Sequence, residues 1–314
     1  MKKTIRKGIS LIVPAYECAD RLPAHLKTVK QIRPYVREII WVVTPGQDAT
    51  LRLIVQAKKK LGGRLLETPR GLYAAWNSGI RHAKHEFTYI STVGEDIAPK
   101  GLIQMSRLLR KHKGDVCFSP PEILPATKKR LRRTRHWPIF RFALCLAQHN
   151  RKIVPAQILF GIQVLAGISG LLGSCASCLF RTKVLKLHPF PINFLHYGDT
   201  AWFYQNLCRL KFIYISEVFS TFHVHDLSNR EVRKDHLTIL LAKLASDFRK
   251  LQPSSLLPFL SERLIKDRNY LDTLREPHPY RFWWMNPIAW YWRVRRNLTE
   301  SAILNILTRR HKEL

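Results

Sequence analysis

Short apolar runs alternate with amphipathic stretches over the first 120 residues, the pattern of parallel strands joined by crossover helices. ISLIVP (9–14) predicts a first strand, and Leu22, Leu26 and Val29 then recur at helical spacing. EIIWVV (38–43) predicts a second strand. Beyond it Asp48 can cap a helix whose inner face is Leu51, Ile54 and Val55, and Gly62 and Gly63 stop that helix. RLLET (64–68) predicts a third strand, GLYAAWNSGIRHAKH (71–85) a helix, and FTYIST (87–92) a fourth strand. The unit is βαβαβαβ. Pro99 opens a further helix with Leu102, Met105 and Leu109 inward, and DVCFSP (115–120) adds another strand.

In open sheets of this kind ligands gather outside the carboxyl ends of the strands. Three loops end strands in this way: PAYECAD (14–20), TPGQDAT (44–50) and STVGEDIAP (91–99). They are expected to converge on one crevice.

Charge changes the picture. The chain has 314 residues, enough for one large core with an appendage or for two modest domains. It carries 53 Lys and Arg against 22 Asp and Glu, a formal net charge of +31, so its surface faces something anionic. Nine Lys or Arg and no acid fall between Lys128 and Lys152, interleaved with Trp137, Phe140 and Phe142. Residues 153–180 are then free of charge for 28 positions, which meets the length of a membrane span. Pro155, Gln157, Gln163 and several small residues favour a buried strand and helix instead. From about Asn229 the residues read as helices. RFWWMNPIAWYWRVRR (281–296) sets four Trp among Arg, which is either an interfacial membrane segment or a helix packed on the rest. The expected organisation is a domain over 1–228 and a basic, Trp-rich helical region over 229–314.

Six cysteines are scattered and the opening MKKTIRKGISLIVPAY lacks a signal-peptide pattern, so a reducing, cytoplasmic setting is expected. Cys175 and Cys178 form a lone CxxC with no second pair to complete a zinc set. A nucleic-acid-binding role rests on the charge alone, without a helix-turn-helix, zinc or RNP-like signature, and is set aside.

RGLYAAWNSGIRHAKHEF (70–87) resembles the G-x-Y-x-A-x-N-x-G-I-x-x-A-x-x-E segment of the family 2 glycosyltransferases, with Tyr73, Ala75, Asn77, Gly79, Ala83 and Glu86 in register. SLIVPAYE (10–17) matches that family's opening strand and Pro-x-Tyr turn. The resemblance runs from about Ser10 to Ser228. It implies a Rossmann-like α/β architecture, the GT-A fold, with a mixed, mainly parallel sheet and here a C-terminal helical extension. It also implies a nucleotide-diphosphate-sugar donor, contacted by Pro14, Tyr16, Glu17, Thr44, Arg70, Gly71 and Asn77.

The departing diphosphate develops negative charge, so such a site wants Mn2+ or Mg2+, which takes oxygen ligands. The family's Asp-x-Asp positions fall here on Thr92 and Gly94, with Glu95 and Asp96 just after. Glu95, Asp96 and His225, the last in STFHVHDLS (220–228), are the expected metal ligands. The alternative for Asp96 is a cap on the helix that Pro99 opens. A second departure is VVTPGQD (42–48), where the family has V-V-D-D-G-S. In LHYGDTAWFYQNL (195–207), Asp199 occupies the place of the catalytic carboxylate at the head of a helix, and it is also a good cap.

The expectation is therefore an inverting transferase acting on a glycan or lipid-linked acceptor in cell-surface polysaccharide synthesis. It would be held on the inner, anionic face of the membrane by its basic segments. The alternative is a protein of the same fold that binds without turnover.

Overall fold

The computed structural model describes residues 6–125, 153–154, 159, 172, 174–207 and 209–224. Two compact units, Met1–Leu240 and Leu241–Leu314, divide the chain, and every described residue belongs to the first. The basic run 128–152, most of 153–173, His225, Ser228 and the whole of 229–314 lie outside the described residues.

The main sheet is built as the apolar pattern requires. β1 (Arg6–Ala15), β2 (Glu38–Val43), β3 (Arg64–Glu67) and β4 (His85–Ile90) are parallel, linked by α1 (Leu22–Ile32), α2 (Thr50–Leu61) and α3 (Leu72–His82). Leu11, Ile12 and Val13 of β1 are all fully buried, because both faces of a parallel strand are covered by helices. A short strand β5 (Glu95–Ile97) follows, then α4 (Pro99–Lys111) with Pro99 in its first turn. Leu102, Met105 and Leu109 point into the core, as their spacing predicts.

Later elements complete two sheets. They are β6 (Val116–Phe118), β7 (Pro121–Pro125), β8 (Ile153–Val154), β9 (Cys178–Arg181), α5 (Thr182–Leu187), α6 (Gly198–Asn206), β10 (Phe212–Tyr214) and β11 (Ser220–Val224). The eight-stranded sheet runs β3-β2-β1-β4-β9-β6-β10-β8, and the three-stranded one β5-β11-β7. β9 enters antiparallel between β4 and β6. β8 is antiparallel to β10 at the edge.

Two expectations change. α3 stops at His82 rather than His85, and β4 begins at His85 rather than Phe87. The reason is capture of the intervening backbone: Glu38 Oε1 accepts from the Lys84 amide at 2.6 Å and Ser10 Oγ from the His85 amide at 3.1 Å. STVGEDIAP is not wholly loop, since β11 pairs with its centre and makes it a strand. The uncharged stretch 153–180 is anchored at both ends in the main sheet, at β8 and β9. Leu179 and Phe180 of β9 are fully buried core. Among the described residues no helix is long and apolar enough to cross a membrane.

Candidate active site

The loops that end β1, β2 and β3 lean on one another. Asp48 accepts from the Ala19 amide at 2.9 Å, and Thr50 Oγ1 accepts from the Cys18 amide at 2.9 Å. Asp48 also accepts from the Thr50 amide at 3.0 Å, so it holds the first amide of α2 from one residue before the N-cap position, which is Ala49. The Ala19 amide holds its carboxyl below the usual carboxylate range. Arg70 stacks its guanidinium over the Tyr16 ring, 5.2 Å from the centroid. Glu17, exposed, sits at φ 40°, an uncommon conformation for a residue with a side chain. Thr44 is buried, with its hydroxyl 3.4 Å from the Pro69 carbonyl. Pro14 lies within β1 opposite Val42, and Gly71 immediately precedes α3. Pro14, Tyr16, Glu17, Thr44, Arg70 and Gly71 thus stand at or just beyond the carboxyl ends of β1, β2 and β3.

Asn77 does something else. Its Nδ2 donates to the Phe190 carbonyl at 2.7 Å, and its Oδ1 accepts from the Phe190 amide at 2.9 Å, so both ends of the carboxamide are engaged. Tyr73 lies one turn earlier on the same helical face. Its hydroxyl donates to Asp199 Oδ1 at 3.1 Å. The opposite face carries Gly79, where an added Cβ would come within 2.6 Å of Ile12 Cγ2 on β1. α3 is therefore a bracket: one face seats on the parallel sheet, and the other grips the segment 190–199 through Tyr73 and Asn77. A buried aromatic cluster backs that grip. Tyr73 stacks on Phe190 at 6.0 Å, and Trp76 meets both edge-on at 4.9 and 5.1 Å.

Asp199 stands in the first turn of α6, where the helix dipole favours a negative charge. Its Oδ1 also accepts from the Thr200 amide at 2.7 Å. Burial nevertheless raises the carboxyl above its usual range, and the Thr200 and Tyr73 hydrogen bonds only partly offset that. Glu95 is buried and accepts from the Ser174 hydroxyl. Burial pushes it up from 4.5 to about 8, against the Ser174 hydrogen bond and helped by the Asp199 and Asp96 charges. Cys175 and Cys178 are buried free thiols, pushed well up by burial, so the CxxC is inert core rather than a redox or zinc pair.

Asp96 faces away from this cluster. Its Oδ1 accepts from Thr28 Oγ1 on α1, and its Oδ2 lies 3.7 Å from His223 Nε2 on β11. It does not cap α4, whose N-cap residue Ala98 makes no side-chain cap. Consecutive residues of a strand point to opposite faces, so Glu95 and Asp96 do not converge on one ion. Among the described residues no three His, Cys, Asp or Glu side chains gather as a metal-binding group, and the third expected ligand, His225, is outside them. The described donor set therefore does not fit a cation held between Glu95 and Asp96. At the first altered Asp-x-Asp position, the Thr92 hydroxyl is buried without a partner among the described residues.

Ser174, Thr28 and His25 were not legible as site residues in the sequence. Tyr73 was, but only as a position in register with the family segment. His25 is buried on α1 with Nε2 3.1 Å from Ser91 Oγ, and burial lowers its pKa.

A mixed, mainly parallel sheet flanked by helices, with loops leaning together at the carboxyl ends of its parallel strands, is the architecture of the GT-A fold. The chain belongs to glycosyl transferase family 2, whose family model matches residues 10–182. No curated protein matches it in sequence. Staphylococcus aureus TarS 1-349 in complex with UDP superposes with a TM-score of 0.60 at 14% identity, over 82% of this chain and 70% of that one. The mannosyltransferase PcManGT from Pyrobaculum calidifontis, in complex with GDP-Man and Mn2+, superposes with a TM-score of 0.53 at 14% identity. That match covers 98% of this chain and 86% of the other. Both likenesses are likenesses of fold.

Proposed function

We propose that this glycosyltransferase transfers a sugar with inversion, from a nucleoside diphosphate to a hydroxyl of a glycan or lipid-linked acceptor. The observation that carries the reading is Asp199, a carboxylate at the head of α6 whose proton affinity is raised by burial. A base is most effective when its pKa lies nearer the working pH than an exposed carboxylate's. In a single displacement the acceptor oxygen bonds to the anomeric carbon as the bond to the diphosphate breaks. The electron pair leaves with the nucleotide, and the hydroxyl proton passes to Asp199. Tyr16, Glu17, Thr44, Arg70 and Gly71, with Pro14 shaping the first turn, line the donor side of the crevice. Asn77 supports it by fastening residue 190 to α3.

Mn2+ or Mg2+ belongs to this reading through the likeness to a structure solved with GDP-Man and Mn2+. It would neutralise the leaving diphosphate. The buried carboxylate on the Asp199 side is Glu95, whereas Asp96 is committed to Thr28 and His223. The divergence of those two carboxylates favours a second reading, a family member that binds nucleotide without turnover. The reading further places the protein in the cytoplasm, on the inner membrane face, in polysaccharide synthesis.

Thermal unfolding with UDP, GDP and dTDP, each with Mn2+ and with chelator, tests it. A nucleotide at about a hundred times its Kd adds roughly 2.7 kcal/mol. A shift with one nucleotide that vanishes on chelation supports the metal-bridged donor site. Absence of any shift overturns it. Sugar release from the matching donor separates the transferase from the binding protein.

A further inference from the structure

The hydrogen bonds at Asp199 are not shared evenly between its two oxygens. Oδ1 accepts from Tyr73 Oη at 3.1 Å and from the Thr200 amide at 2.7 Å, with Thr200 Oγ1 at 3.5 Å. All three reach Oδ1, and none reaches Oδ2. We propose that Tyr73 is a positioning residue for transfer: with the Thr200 amide it occupies Asp199 Oδ1, and leaves Oδ2 as the atom that accepts the acceptor's proton. This deepens the proposed function and rests on Asp199 being its base.

Tyr73 is built to hold that position. A Cβ at Gly198 would run into the Tyr73 ring and lie 2.7 Å from the Pro191 carbonyl, so the ring lies directly against the backbone before Asp199. Only glycine permits that approach. The ring's other neighbours, Trp76 and Phe190, fix its tilt. Burial and the Asp199 charge push the Tyr73 phenol well up, so it keeps its proton and remains a donor throughout the neutral range. A carboxylate that rotated freely would present either oxygen. One held by two donors on Oδ1 presents Oδ2 in a single orientation, which is what an in-line displacement requires.

In the step itself, the acceptor oxygen bonds to the anomeric carbon, the anomeric carbon–diphosphate bond breaks, and the proton is transferred to Oδ2. Tyr73 gains and loses nothing. The titratable groups facing Asp199 among the described residues are Tyr73 on α3, Glu95 on β5, Cys175 in the turn that enters β9 and Cys178 at the start of that strand. Burial keeps Glu95 neutral to about 8 and both thiols neutral beyond that, so Tyr73 is the neighbour whose removal acts on Asp199 near neutrality.

The test is a pH titration of the full-length protein by carbon-13 NMR of its aspartate carboxyls, with Asp199→Asn identifying the signal. Tyr73→Phe keeps the ring and removes one donor to the charged form. It is expected to raise the Asp199 midpoint by about one pH unit. Site-specific 3-fluorotyrosine at position 73, a stronger donor in an otherwise native protein, is expected to lower it. The acid limb of nucleotide release should follow both shifts, with donor KM unchanged. A purely structural Tyr73 would change the melting temperature and leave the midpoint alone. A midpoint unmoved by either substitution overturns the proposal. Wild-type turnover in Asp199→Asn overturns the reading beneath it instead, and the two failures are distinct because the titration needs no turnover.

Discussion

Glu95 and Asp96 are adjacent in the chain and opposite in space. The strand pairing of β5 with β11 turns Glu95 inward to the Ser174 hydroxyl and Asp96 outward to Thr28 and His223. One carboxylate is thereby desolvated and the other held at the surface, and their chemistry separates.

Glu95 should make stability fall as pH rises. Its folded pKa of about 8 lies above 4.5, so the folded state holds a proton that the unfolded state releases between those values. The stability that this proton contributes is complete below about 4.5 and lost by about 8, a change of order 5 kcal/mol. Glu95→Gln removes the dependence while keeping an acceptor for Ser174. Urea unfolding at both ends of that range should show the variant gaining on wild type at the alkaline end. Parallel wild-type and variant profiles would exclude a protonated Glu95.

His25 should act in the opposite sense. Burial lowers its folded pKa below 6.5, so its contribution is complete above 6.5 and lost as pH falls toward the folded value. His25→Gln should lose less stability than wild type on acidification below 6.5. The same unfolding series, carried to lower pH, measures it.

Asn77→Ala should cost about 2–4 kcal/mol, because it leaves the buried amide and carbonyl of Phe190 both unpaired. Equilibrium unfolding with an unchanged m-value would verify that the loss is native-state bonding. A cost under about 0.5 kcal/mol, the level of an ordinary surface substitution, would contradict the bracket role of α3.

Arg70→Ala should raise donor KM roughly tenfold with little change in kcat, since in the proposed reading the guanidinium stacked over Tyr16 binds the donor and takes no part in proton transfer. Steady-state nucleotide release decides this. An equal fall in kcat would place Arg70 in the transition state instead.

Replacing Arg293, Arg295 and Arg296 together by Ala should release the protein from anionic vesicles into the soluble fraction, each charge near such a surface being worth roughly 1 kcal/mol. Undiminished recovery with vesicles would remove the membrane from the proposed function.

The chain's own pattern determined the parallel half of the molecule. Apolar runs of strand length, Leu102, Met105 and Leu109 at helical spacing, and Asp48 and Pro99 at helix starts each encode burial or capping within a few residues, and they appear where that local physics puts them. Asp199 at the head of α6 was legible through the resemblance of its segment to the family's. What only the tertiary structure decided are the relations across long separations. β11 pairs with β5 and sends Glu95 and Asp96 to different faces, and Tyr73 reaches an oxygen of a residue 126 positions away. Periodicity records whether a side chain is buried. Which partner it meets there depends on strand register and helix docking, and those are set by the packing of the whole sheet rather than by any stretch of the sequence.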